Sequence, residues 1–312
     1  MKCALVFPGQ GSQSIGMMQA FADSKVVTDT FAEASEVLAQ DLWKLVVEGP
    51  ADQLSATVNT QPVMLTAGVA VYRAWQAAGG PVPALVAGHS LGEYAALVAA
   101  GVIAFKDAVP LVRFRAQAMQ EAVPIGAGAM AAILGLDDDA VRAACAESAD
   151  PQRGEIVEAV NFNAPSQVVI AGSKAAVERG AVACKARGAK RALMLPVSAP
   201  FHSSLLQPAA GRLADYMQNI TFNAPLIPVV NNVDVAVVND PAAIKAALAR
   251  QACSPVRWVE VIKHLAGAGV THVAECGPGK VLAGMTTRID KNLQGFAITD
   301  PASLTQALEA LK

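Results

Sequence analysis

Charged and aromatic side chains are scarce in this sequence. Of its 312 residues, 16% are charged and 5% aromatic, and the formal net charge is −2. Without a broad basic footprint the chain is ill suited to nucleic acid, and so few aromatics leave no stacking platform for single strands. Five cysteines (Cys3, Cys145, Cys184, Cys253 and Cys276) form no CxxC pair and are odd in number. That pattern argues against a disulfide scaffold and a zinc site, and we expect a reducing cytoplasm. Long apolar runs are also missing, although mean hydropathy is high at +0.37. Ala95 to Phe105, for instance, is 11 residues, whereas a bilayer span takes about 18 or more. The apolar start Met1–Phe7 stops at Pro8-Gly9, too short for the core of a signal peptide. We therefore expect no membrane contact and, at about 150 residues per domain, roughly two domains.

What is present is an alternation of short apolar runs and longer amphipathic stretches, the α/β pattern. Strands are expected at Cys3–Phe7, Pro83–Ala87, Leu226–Val230 and Thr271–Glu275. Helices are expected at Thr60–Ala78, Leu91–Ala100, Lys106–Val123, Ser204–Met217, Asp240–Ala252 and Val259–Ala268, with two more from Lys280 and at the C-terminal end. Between them, 126–196 has its own rhythm. Strand Gly128–Leu136, helix Asp137–Ser148, strands Ile156–Phe162 and Gln167–Ala171, helix Lys174–Arg187 and strand Ala189–Leu195 follow in turn. This β-α-β-β-α-β order is the ferredoxin-like arrangement. We expect a small ferredoxin-like domain, 126–196, inserted into a larger α/β domain made of 1–125 and 197–312.

Gly88-His89-Ser90-Leu91-Gly92 fits G-x-S-x-G and lies between an expected strand and an expected helix. With 24 glycines in the chain, chance supplies about 0.1 such matches. In a nucleophile elbow this sharp turn projects the serine, and the helix N-terminus behind it offers amides to an oxyanion. Serine needs a base, and histidine is the usual one near pH 7. Of the four histidines, His89 adjoins Ser90 in the elbow, which would point it away. His264 falls in a helical pattern and His272 at a strand start. His202 lies in the loop Pro200-Phe201-His202-Ser203-Ser204, where catalytic groups concentrate. No acid lies near it in sequence. Pro8-Gly9-Gln10-Gly11-Ser12-Gln13 and Gly277-Pro278-Gly279-Lys280 both fail the phosphate-binding patterns, but a glycine loop after the first strand can aim amides at an oxyanion. Arg113 and Arg115 flank the apolar side of one helix, one on each edge, and helical geometry does not choose between them.

Four segments together carry a resemblance: Phe7–Gln13, Gly88–Tyr94, Arg115-Ala116-Gln117-Ala118-Met119-Gln120 and Glu275–Leu282, joined by Asn161–Pro165 in the small domain. Over essentially its whole length the chain resembles the malonyl-CoA:acyl carrier protein transacylases of dissociated, type II fatty acid synthesis. The resemblance implies an α/β-hydrolase-like large domain with a ferredoxin-like insert. It also implies Ser90 as the acylated nucleophile and His202 as its base. Gln10 and Leu91 would give the oxyanion amides, Arg115 would hold the malonyl carboxylate, and the Gln251 main-chain carbonyl would orient the histidine in a Ser-His dyad. Malonyl-CoA and acyl carrier protein follow as partners, with no cofactor beyond the coenzyme A thioester itself, and a monomer is expected. A serine hydrolase shares the elbow but needs no Arg115. The transacylase subunit of malonate decarboxylase and a free-standing polyketide acyltransferase share the mechanism with another carrier. Six basic residues between Lys174 and Arg191, against one acid, Glu178, could steer an acidic carrier protein.

Overall fold

The computed structural model describes residues 1–197 and 199–311. The first strand, β1 (Cys3–Phe7), is buried along its whole length, as an unbroken apolar run in a parallel sheet must be. Its alternate side chains feed two apolar layers: Leu5 and Phe7 face one, Ala4 and Val6 the other. Three helices then precede the next strand's helix: α1 (Lys25–Leu38), α2 (Leu42–Glu48) and α3 (Ala51–Ser55). None of them was expected from the sequence. Helix α4 (Thr57–Ala77) is buried on nearly every side, the signature of a central helix. It starts three residues before the expected Thr60, because the Ala56 carbonyl accepts from the amides of both Asn59 and Thr60.

Strand β2 (Leu85–Gly88) leads into α5 (Gly92–Ala99), and α6 (Phe105–Glu121) follows. The middle segment contains β3 (Gly128–Leu134), α7 (Asp138–Ser148), β4 (Val157–Ala164), β5 (Gln167–Ser173), α8 (Lys174–Ala186) and β6 (Arg191–Met194). Asp137 is the cap of α7, its carboxylate accepting from the Ala140 amide. The chain closes with α9 (Gln207–Gln218), β7 (Val229–Val230), α10 (Pro241–Gln251), α11 (Trp258–Gly267), β8 (His272–Cys276), α12 (Val281–Ile289), β9 (Gln294–Ile298) and α13 (Pro301–Glu309). Two expected bounds shift for visible reasons. A 3₁₀ turn at Ser204–Leu206 precedes α9, and β7 keeps only two residues because the Leu226 amide turns away to the Ala100 carbonyl.

The strands form two sheets. One is five-stranded and parallel, ordered β7-β2-β1-β8-β9; the other is four-stranded and antiparallel, ordered β4-β5-β3-β6. In the parallel sheet Phe7 lies in register with Gly88. The loops after β1 and β2 therefore leave from the same level at the carboxyl ends of neighbouring strands, where open α/β sheets bind ligands. Among the described residues no helix is long and apolar enough to cross a membrane.

One buried acid is structural. Glu275 lies near the end of β8 beneath the start of α12, where its Oε2 accepts from the Ala283 amide at 2.9 Å while Oε1 has no partner. Burial pushes its pKa up to about 7 against the pull of the Ala283, Leu282 and Val281 amides. A carboxyl raised this way favours folding below its unfolded pKa and loses that contribution as pH rises through the folded value. A shift of this size is on the order of 3 kcal/mol. Glu275→Gln should therefore lose less stability than the parent between pH 5 and 8, read as unfolding midpoint against pH; parallel curves would refute it.

Candidate active site

The elbow turns because its glycines permit a contact that no side chain allows. A Cβ on Gly88 would sit 1.9 Å from the Gly92 carbonyl carbon, and one on Gly92 would sit 2.0 Å from the Phe7 carbonyl oxygen. With α5 pressed this close to the sheet, Ser90 is held at φ +51°, and His202 across from it at φ +66°. Left-handed backbone at non-glycine residues costs free energy and clusters at functional sites.

Ser90 Oγ donates to His202 Nε2 at 2.7 Å, and His202 Nδ1 donates to the main-chain carbonyl of Gln251 at 2.9 Å. A carbonyl oxygen can only accept, so the ring proton resides on Nδ1 and Nε2 keeps its lone pair toward the serine. Burial, then the positive charge of Arg115, pushes the His202 pKa down to about 3, so the imidazole is neutral at pH 7. No carboxylate touches it among the described residues, so a main-chain carbonyl stands where an acid would complete a triad.

Arg115 is separated from Arg113 by burial. Arg113 is half-buried and hydrogen-bonds the Gln40 side chain, whereas Arg115 is 2% exposed. The Arg115 guanidinium donates through Nη1 to Gln61 Oε1 at 2.8 Å. Through Nη2 it reaches Gln251 Oε1 at 3.0 Å and Ser90 Oγ at 3.2 Å. Its Nε has no partner, and the fork lies 5.3 Å from the Tyr94 ring centroid. Every side chain it hydrogen-bonds is neutral. Among the described residues no carboxylate forms a direct ion pair with this buried cation. The buried Glu93 acts on it only from beyond Gln251, so desolvation stays costly unless an anion arrives.

Ser90, His202 and Arg115 line one cavity of about 540 Å³, together with Gln10, Leu91, Met130, Asn161 and Leu195. It lies where the carboxyl ends of β1 and β2 meet the antiparallel sheet. Among the described residues the amides of Gln10 and Leu91 donate to no protein acceptor, and Leu91 stands at the N-terminus of α5. A wider groove of about 650 Å³ runs alongside and shares Gln10, Ser55, Pro196 and Val197. No cluster of three His, Cys, Asp or Glu side chains suited to a metal occurs among the described residues.

The other histidines have different surroundings. His89 pairs with Asn163 Oδ1 at 2.7 Å and meets Trp258 edge-on, and burial lowers its pKa. His272 is buried and stacks on Phe296, while His264 is part-exposed on α11. The basic segment is only partly available. Arg179 pairs with Glu155, Arg187 with Glu147, and Lys185 donates to the carbonyls of Ala189 and Lys190.

Three residues escaped the sequence reading. Gln61 braces Arg115. Asn232 accepts from the Ser90 amide at 2.7 Å and donates to the Gly88 carbonyl at 2.7 Å. Glu93, one turn beyond the serine, is 2% exposed. The available signal for Asn232 was its place just after β7, at the ligand-binding edge of the sheet.

An acyl transferase domain model matches residues 4–294. The chain is 57% identical over 306 residues to a malonyl CoA-acyl carrier protein transacylase of Salmonella typhimurium, covering 98% of each chain. A crystal structure of an acyl-carrier-protein S-malonyltransferase from Burkholderia pseudomallei is 67% identical, with a TM-score of 0.97 over 99% of this chain and all of that one. A malonyl-transacylase solved in complex with a type II polyketide acyl-carrier protein is 53% identical, with a TM-score of 0.97 over 99% of this chain and 100% of that one.

Proposed function

The chain belongs to the acyl transferase family, and from that premise we propose how its residues carry out the reaction. It transfers malonyl groups from malonyl-CoA to acyl carrier protein for fatty acid synthesis. Ser90, relieved of its proton by His202, attacks the thioester carbonyl. The amides of Gln10 and Leu91 take up the negative charge that forms on the carbonyl oxygen; losing one such donor typically costs about 2.7–4 kcal/mol. His202 returns the proton to the departing coenzyme A sulfur, which leaves a malonyl ester on Ser90. The phosphopantetheine thiol of the carrier protein then loses its proton to His202 and attacks that ester in a ping-pong cycle.

The observation that carries this reading is the buried, unpaired guanidinium of Arg115 only 3.2 Å from the nucleophile. A short acyl group bearing a free carboxylate fits that distance, and the planar fork suits it. A hydrolase of simple esters would have no use for a cation there. The adjoining groove gives the long pantetheine arms of both substrates a route to Ser90.

We read residues 126–196 as a ferredoxin-like small domain inserted into an α/β-hydrolase-like large domain of 1–125 and 197–312. Their element order supports this, and the cavity lies between them. Five free thiols suit a reducing, cytoplasmic setting. The deciding experiment is intact-mass analysis after malonyl-CoA, then after holo acyl carrier protein. A malonyl adduct that moves to the carrier supports the reading. Free malonate instead would make the protein a hydrolase, and transfer confined to a polyketide carrier would change the acceptor.

A further inference from the structure

Behind the dyad, one carboxylate is shared by the two residues that grip the elbow. Glu93 Oε2 accepts from the Asn232 main-chain amide at 2.9 Å and from Gln251 Nε2 at 2.8 Å. Asn232 holds the Ser90 amide, and Gln251 Nε2 also donates to the Ser90 carbonyl at 3.0 Å. The other end of the Gln251 amide, Oε1, accepts from Arg115, while its main-chain carbonyl holds His202. A carboxamide is nearly symmetric in shape, so packing alone does not fix which end faces the guanidinium. Reversed, it would turn an NH₂ toward Arg115 and a carbonyl oxygen toward the Ser90 carbonyl. Both contacts would then be repulsive.

We infer that Glu93 is a positioning residue for acyl-group selection. By accepting from Gln251 Nε2 alongside the Ser90 carbonyl, it tightens the amide orientation that presents Oε1 to Arg115 and so aims the fork at the cargo's carboxylate. The assignment rests on Arg115 binding that carboxylate. Without Glu93, the Gln251 amide keeps only the Ser90 carbonyl as acceptor for its NH₂, so its hold on Arg115 loosens and Gln61 becomes the firmer brace. Loosening the elbow slows every acyl group, but loosening the fork slows malonyl alone.

The test is the ratio of kcat/KM for malonyl-CoA to that for acetyl-CoA in transfer to carrier protein. Glu93→Ala should lower this ratio by about 10- to 100-fold. Glu93→Gln, whose carbonyl oxygen can accept from both donors, should restore most of it. Glu93→Asp, one methylene short, should resemble alanine, and the Gln/Asp comparison decides the matter if Glu93→Ala does not fold. In a Gln251→Ala background, which keeps the main-chain carbonyl for His202, removing Glu93 should change the ratio little further. Equal loss for both acyl groups, no recovery with glutamine, or an undiminished effect in the Gln251→Ala background would each overturn the inference. Arg115→Ala is measured alongside: if it leaves the ratio unchanged, the carboxylate-binding reading itself is what fails.

Discussion

Replacing Ser90 by alanine should leave no malonyl adduct on the protein by intact-mass analysis and no transfer to the carrier. A reaction that runs through a covalent ester has no path around its nucleophile. Loss of such a group within a cooperating set costs on the order of 10⁶ in kcat. Alanine keeps a Cβ at the strained φ of +51°, so the elbow's backbone has no new reason to move, and the unfolding midpoint should stay near that of the parent. The cysteines offer no substitute. Burial pushes the thiols of Cys3, Cys145, Cys184, Cys253 and Cys276 above their ordinary pKa, and a thiol held protonated is a weak nucleophile. Labelling that persists in the variant would relocate the chemistry away from the elbow. His202→Ala should mimic the loss with the hydroxyl still present, because Ser90 Oγ would then face only the Arg115 donor.

The parts of this molecule that were legible in its sequence are those set by local pattern. β1 is a run of five apolar residues ended by Pro-Gly, and its bounds match the expectation residue for residue. Glycine spacing marked the elbow because the packing of α5 on β1 tolerates no Cβ there. The three helices between Lys25 and Ser55 were missed; two of them are seven residues or fewer and carry too little periodicity to read. β9 was missed because Gln294–Ile298 is a part-exposed edge strand without an apolar run.

In the candidate site, the serine, histidine and arginine stood out in the sequence, and the residues that hydrogen-bond them did not. Helical angle could not separate Arg113 from Arg115, because the difference lies in what packs against them: α4 brings Gln61 and α10 brings Gln251 to one arginine only. A main-chain carbonyl such as that of Gln251 has no side-chain signature at all. The basic stretch after Lys174 looked freer than it is, since its pairing acids, Glu147 and Glu155, lie on elements distant in sequence.

Arg115→Ala should lower malonyl transfer about a thousandfold while changing acetyl transfer far less. On the proposed binding of the malonyl carboxylate, the loss follows from removing one partner of a buried ion pair, which costs about 3–5 kcal/mol, with each 1.4 kcal/mol worth about tenfold. An acetyl group never made that pair. In the parent it leaves the guanidinium unsatisfied in a dry cavity, so truncation removes a penalty as well as a contact. Arg115 also lowers the His202 pKa, second only to burial. Removing the cation therefore makes proton uptake from Ser90 easier for any substrate that brings no carboxylate of its own. If Arg115 holds the malonyl carboxylate as proposed, the incoming carboxylate should neutralise the same charge and relieve the base for the correct cargo. Arg115→Lys separates the two roles: it keeps a positive charge near His202 but lacks the planar fork, and should fall between parent and alanine for malonyl without gaining on acetyl. Steady-state kcat/KM for both thioesters, measured on variants with matched unfolding midpoints, checks this. A parallel fall for malonyl and acetyl would strip Arg115 of its role in selection and leave it a structural cation.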